Sequence, residues 1–113
     1  MKLEILHIPD CPNVAVLRER LEALAETVPD VRVTSQVIDS AEDAAAAGMT
    51  GSPTLLVDGA DPFREPGRAA SLSCRLYRDD EGRLSGSPSV IALRRVLLGR
   101  SVEPGTPDGP AAW

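Results

Sequence analysis

The first 28 residues constrain the fold most tightly. Residues 2–8, KLEILHI, carry apolar side chains at Leu3, Ile5, Leu6 and Ile8. Apolar positions on both faces mark a strand covered from both sides rather than a half-exposed one. Pro9 and Asp10 break it. Val14, Leu17, Leu21, Leu24 and Val28 then recur at steps of 3, 4, 3 and 4, which lines one face of a helix. Arg18, Glu19, Arg20 and Glu22 fill polar positions around that face, and Pro29-Asp30 is expected to end the helix. Residues 31–38, VRVTSQVI, read as a second strand. A strand, a crossover helix and a second strand make a parallel, right-handed unit.

The second half reads differently. Ser40 is an expected N-cap, with Asp43 three residues on, for a short alanine-rich helix over 41–47 that Gly48 closes. Residues 54–58, TLLVD, form a third strand. A loop rich in proline and glycine follows over 60–70. Strand four is expected over 71–78, with Leu72, Cys74 and Leu76 on one face and Ser73, Arg75 and Tyr77 on the other. Residues 79–87 form a polar turn. Pro88, behind Ser87, starts the last helix, 88–98, which buries Val90, Leu93 and Leu97 and stops at Gly99. The order is β-α-β-α-β-β-α, an α/β fold with a mixed four-stranded sheet and helices on both faces. One domain spans 1–99, and 100–113 is expected to be a disordered tail.

Charge and composition narrow the function. Seventeen acids against 12 bases give a formal net charge of -5, which disfavours a nucleic-acid binder, because phosphate neutralisation supplies most non-specific affinity. Eleven of the 12 bases are arginine, which we read as the coding bias of a GC-rich genome. Aromatics are Phe63, Tyr77 and Trp113 alone, so no base-stacking platform is evident. No apolar run approaches the ~20 residues that span a bilayer, and residues 1–8 lack the regions of a signal peptide. We expect a cytoplasmic protein with neither membrane nor nucleic-acid partner.

The two cysteines, Cys11 and Cys74, exclude a disulfide-dense scaffold and a four-cysteine zinc site. Cys11 follows a strand and opens a helix. Unpaired backbone N–H groups at a helix start favour an anionic thiolate, a nucleophile or soft-metal ligand. Pro12 suits the first turn. The plainer reading of Cys11 is a small hydrophobe at a strand–helix junction. Asp10 adjoins Cys11 and opposes a second negative charge there. His7, the single histidine, lies four residues before Cys11 and is a candidate modulator, although a lone strand histidine is more often structural. Pro53, within Gly51-Ser52-Pro53-Thr54, stands at the head of the third strand, where a missing N–H is tolerated.

This arrangement resembles the thioredoxin superfamily: the β-α-β-α-β-β-α order, a cysteine opening the first helix, and a Gly-x-x-x-x-Pro-Thr run before the third strand. The resemblance covers 1–99. It implies that Cys11 is the nucleophile. It implies also that Pro53 is a cis-proline facing Cys11, and that Pro12, Ser52, Pro53 and Thr54 shape a groove for a thiol or disulfide substrate, protein or small molecule. The family's Cys-x-x-Cys motif would place a second cysteine at position 14, where this chain has Val14.

Three readings stay open. Cys11 acts alone, with glutathione or another small thiol as cosubstrate and no bound cofactor, as in monothiol glutaredoxins. Cys74 is a second, resolving thiol. Or redox chemistry is lost and the fold is a noncatalytic module binding a protein or a soft metal. With strand four antiparallel to strand three, Cys74 falls mid-strand, ~10–15 Å from the strand's end. A disulfide needs Cα atoms within ~7 Å. Cys74 is therefore expected in the core beside Leu72 and Leu76, and no resident metal site is expected. A looser resemblance, in ingredients only, is to organomercurial lyases, which use two sequence-distant cysteines and a carboxylate. Cys11, Cys74 and Asp10 would take those parts. Arg64 and Arg68 in the 60–70 loop could hold a carboxylate such as glutathione's; solvated loop charges are the plainer reading.

Overall fold

The computed structural model describes residues 1–79 and 81–101, with backbone only at 100 and 101. The expected tail therefore lies, from 102 onward, outside the described residues. In chain order the elements are β1 (Lys2–His7), α1 (Asn13–Ala25), β2 (Arg32–Val37), α2 (Ala41–Ala47), β3 (Thr50–Ser52), β4 (Thr54–Val57), β5 (Ser71–Cys74), β6 (Tyr77–Arg78), β7 (Leu84–Ser85) and α3 (Val90–Ser101).

β1 is the central strand. It pairs in parallel with β2, from Lys2↔Arg32 to His7↔Val37. On its other side it pairs antiparallel with β4, from Leu3↔Val57 to Leu6↔Thr54. Alternation along β1 divides the core in two. Leu3 and Ile5 pack with Leu17, Leu21 and Leu24 of α1, Val28, Leu55 and Val57 of β4, and Leu93 and Leu97 of α3. Leu6 turns the other way and packs with Ile38, Ala44 of α2 and Met49. The apolar steps that announced α1 are thus the steps that bury it. Each fully buried leucine contributes about 1.5–3 kcal/mol of transfer free energy.

The caps of α2 form as the sequence suggests. Ser40 Oγ accepts the Asp43 N–H at 3.1 Å, and Gly48 takes φ 85. α1 ends at Ala25, earlier than Pro29. The N–H groups of Thr27 and Val28 and the Thr27 hydroxyl all converge on the Leu24 carbonyl at 3.0–3.1 Å, which turns the chain while Val28 stays buried. α3 starts at Val90 rather than Pro88, because Ser89 Oγ accepts the Ala92 N–H at 3.1 Å and does the capping. Val90 is exposed rather than core, and α3 runs through Gly99 to Ser101.

The largest correction concerns strand four. Among the described residues there is no four-stranded sheet: the sheets are β2-β1-β4, β3-β5 and β6-β7. Residues 71–78 form two short strands instead of one, and β5 runs parallel to β3 instead of antiparallel to β4. Ser71 N–H donates to Met49 O at 3.1 Å and Arg75 N–H to Ser52 O at 3.0 Å. The pairing Thr50↔Ser71 and Ser52↔Cys74 spans two steps on β3 and three on β5, an irregular register. Gly51 permits the close approach. It sits at φ 128, and a Cβ there would stand 2.7 Å from Arg75 Cβ.

Leu72 packs against the smaller core cluster as expected and Ser73 is exposed, but from Cys74 to Tyr77 the buried face is the reverse of the one expected. Arg75 and Tyr77 are buried at 2% and 6% exposure, whereas Leu76 is 52% exposed and Cys74 is exposed. The physical reason is satisfaction of the arginine. Arg75 donates to Asp61 Oδ2 at 2.8 Å, Phe63 O at 2.6 Å, Thr50 Oγ1 at 3.2 Å and Thr54 Oγ1 at 3.4 Å. Its guanidinium lies 4.7 Å from the centre of the Tyr77 ring, a cation–π distance. A buried cation is tolerated where it is paired and hydrogen-bonded, as both terminal nitrogens of Arg75 are here.

Candidate functional site

The site is built around Ser52 and Pro53. The Ser52–Pro53 peptide is cis, as the resemblance implies. Ser52, Pro53 and Thr54 are all buried, and the two hydroxyls are committed within the chain. Ser52 Oγ accepts the Ile8 N–H at 3.0 Å. Thr54 Oγ1 donates to Gly51 O at 2.6 Å and accepts the Thr50 N–H at 3.2 Å. These bonds extend the β1–β4 register past its last pair, so that Ile8 lies against Ser52.

Cys11 is three residues beyond Ile8, across the Pro9-Asp10 turn. Asp10 holds φ 58, a left-handed conformation that aspartate tolerates better than most residues, and it is exposed. Cys11 is half-buried and a free thiol. Its carbonyl accepts the Val14 N–H at 3.3 Å. Pro12 is the N-cap of α1, and no side chain caps that helix start. Val14 is half-buried against the larger core cluster.

Cys74 is the residue whose place changes most. It is no core thiol beside Leu72 and Leu76. It is exposed, free, and level with Ser52 across the β3–β5 pair, where neighbouring strands lie ~4.8 Å apart. The antiparallel premise had put it a half-strand away. The real pairing sets it next to the residue that precedes Pro53.

Tyr77 packs against the cis-prolyl segment. Its hydroxyl donates to Pro53 O, and its ring meets Phe63 edge-on with centroids 5.6 Å apart. Burial pushes the Tyr77 hydroxyl well above its ordinary range. Arg75 opposes that shift, and Asp61 adds to it. A charge on Cys11 adds least to it. Sequence reasoning missed Tyr77 and Arg75. Their shared parity in 71–78 was visible, but the leucine face was taken as the buried one.

His7 is half-buried and donates Nδ1–H to Ile8 O at 2.9 Å, next to the Ser52 contact. Arg68 is held by Glu65, and that partner, above all, keeps the Glu65 carboxyl below its usual range. Clefts of about 470 and 220 Å³ flank the 60–70 loop, and Arg64 and Glu65 line both. Neither cleft is lined by Cys11 or Cys74. Among the described residues no group of three or more His, Cys, Asp or Glu is arranged to hold a metal ion. No helix among them is long and apolar enough to cross a membrane.

What the structure brings together is a buried cis-prolyl segment with Cys74 level with Ser52, and Cys11 three residues beyond the Ile8 that bonds Ser52, in an α/β protein with a mixed sheet. Comparison with protein-family models, with curated proteins and with solved structures finds no match.

Proposed function

We propose that the chain is a thioredoxin-like thiol redox protein. Cys11 carries out single-cysteine thiol–disulfide or glutathione-linked exchange in the cytoplasm. The observation that carries this reading is the placing of a free, half-buried Cys11 at an uncapped helix start, beyond the end of β1 that abuts Ser52. The Cys11 thiolate attacks one sulfur of a disulfide. A Cys11–sulfur bond forms, the disulfide bond breaks, and the departing thiolate takes a proton. A molecule of glutathione then attacks the mixed disulfide, restoring the Cys11 thiol and leaving with the bound half as a new disulfide.

The backbone favours a small partner over an extended peptide. A peptide that binds as an added strand needs an open edge. The outer edge of β3 is filled by β5, through Ser71 N–H to Met49 O and Arg75 N–H to Ser52 O. A small thiol needs no such edge. Mass spectrometry after exposure to oxidised glutathione tests this: the expected product is one glutathione on Cys11, lost in Cys11→Ser. No adduct on Cys11 overturns the reading.

The exposure of Cys74 beside Ser52 favours one further reading. Both thiolates together would bind a soft metal ion or organometal, with exposed Asp10 as the nearby carboxylate. Mercury titration tests it. The two-thiol reading requires that Cys74→Ala weaken capture, and unchanged stoichiometric capture contradicts it.

A further inference from the structure

We propose that β2 is a self-association edge, pairing antiparallel with β2 of a second copy of this chain. β2 is the outer strand of its sheet, with no further strand beside it among the described residues. The Arg32 N–H donates to Met1 O, just before β1, at 2.9 Å, and the Ile38 N–H to His7 O of β1 at 2.7 Å. Backbone groups alternate sides along a strand, so those of Val33, Ser35 and Val37 point outward.

Edges left open in this way are ordinarily protected by charge, proline or a bulge. From Val33 to Val37 the sequence is VTSQV, with none of these. Its β-branched residues favour pairing, and Val37 is 54% exposed.

The occupant follows from the symmetry of the segment. Outward-facing residues must meet outward-facing residues in a hydrogen-bonded antiparallel pair. Centring the two-fold on Ser35 sets Ser35 against its own copy, Val33 against Val37 of the copy, and Thr34 against Gln36. Each apolar residue meets an apolar residue, each uncharged polar one its like, and Arg32 meets Ile38. Opposite residues share a sheet face, so each Val37 is set beside a Val33 that already packs against the larger core cluster. Arg18 comes near the two-fold, because its Nη2 donates to Ser35 Oγ at 2.7 Å. It brings its own counter-ion, Glu22 at 3.9 Å. A six-residue edge is small beside the ~1,200 Å² of a stable interface, so association is concentration-dependent.

Sedimentation of the full chain over a roughly hundredfold dilution series in the micromolar range is the test, together with amide hydrogen exchange at both ends of the series. The expected result is a mass rising toward twice that of the chain. Protection of the Val33, Ser35 and Val37 amides should appear only when concentrated. Val37→Lys, which sets a charge opposite Val33, should hold the protein at single-chain mass with an unchanged circular dichroism spectrum. A wild-type mass fixed at one chain overturns the proposal. So does a dimer in which those three amides exchange as freely as in the dilute protein.

Discussion

Replacing Arg75 by methionine fills much of the same space but strips Asp61 of its partner. The Asp61 side chain is only 10% exposed and stands 2.8 Å from Arg75 Nη1. Removing one member of a buried pair costs about 3–5 kcal/mol, chiefly because the other charge stays buried alone. The Phe63 carbonyl, 2.6 Å from Arg75 Nη2, loses its donor as well, a further penalty within about 1–3 kcal/mol that overlaps the first. We expect a total loss of about 3–5 kcal/mol, a large share of the roughly 5–15 kcal/mol that keeps a domain folded. With a urea slope of about 1–3 kcal/mol/M the midpoint should fall by about 2 M. Urea unfolding followed by circular dichroism reads this directly. The double variant Arg75→Met/Asp61→Ala should be more stable than the sum of the single losses by about 1–3 kcal/mol, because no lone charge remains. A single-variant loss below ~1 kcal/mol, or strict additivity, would refute the claim that this pair ties the 60–70 loop to the chain just after β5.

Gly51→Ala should destabilise by at least ~2 kcal/mol in the same assay, since it combines φ 128 with a Cβ 2.7 Å from Arg75 Cβ; wild-type stability would mean β3 and β5 do not approach as described. Tyr77, the only tyrosine, should show no phenolate absorbance in the folded protein as pH passes ~10. Its folded value is raised, so its contribution to stability is full below the unfolded value and falls away as pH climbs past it. A phenolate titrating near pH ~10 in the folded state would contradict its burial. Asp79 behaves oppositely: the Arg83 N–H, above all, and the Glu81 N–H hold its carboxyl below the usual range. The β6–β7 turn should therefore stay intact above the usual carboxylate range and loosen as pH falls through the lowered value, read from the amide shifts of Glu81 and Arg83. Cys74 should be alkylated by iodoacetamide in the native protein; resistance until unfolding would return it to the core.

The first half of the chain was legible because its apolar residues repeat at helical steps and cover both faces of β1. Those patterns have few alternative foldings. The caps of α2 were legible for a local reason, since Ser40, Asp43 and Gly48 interact within one short stretch. The region 71–78 was not, because its outcome depends on partners far along the chain. The alternation Leu72, Cys74, Leu76 against Ser73, Arg75, Tyr77 fixes two faces but not which is buried. Asp61, Phe63, Thr50 and Thr54 decide that by satisfying Arg75, and Gly51 decides which strand β5 meets. The misplacing of Cys74 followed from that one pairing. Cys11 and Pro53 were singled out from position and resemblance; the structure shows the cis Ser52–Pro53 peptide and a half-buried Val14 packed on the larger core cluster.

The central claim is that Cys11 is the exchanging thiol of a small-molecule redox site. Incubating the native protein with oxidised glutathione, then mapping adducts by mass spectrometry over time in wild type, Cys11→Ser and Cys74→Ala, tests it most directly. We predict a Cys11 adduct in wild type and Cys74→Ala that reduced glutathione removes. Adduct formation confined to Cys74, with Cys11 unmodified in the folded protein, would contradict the assignment.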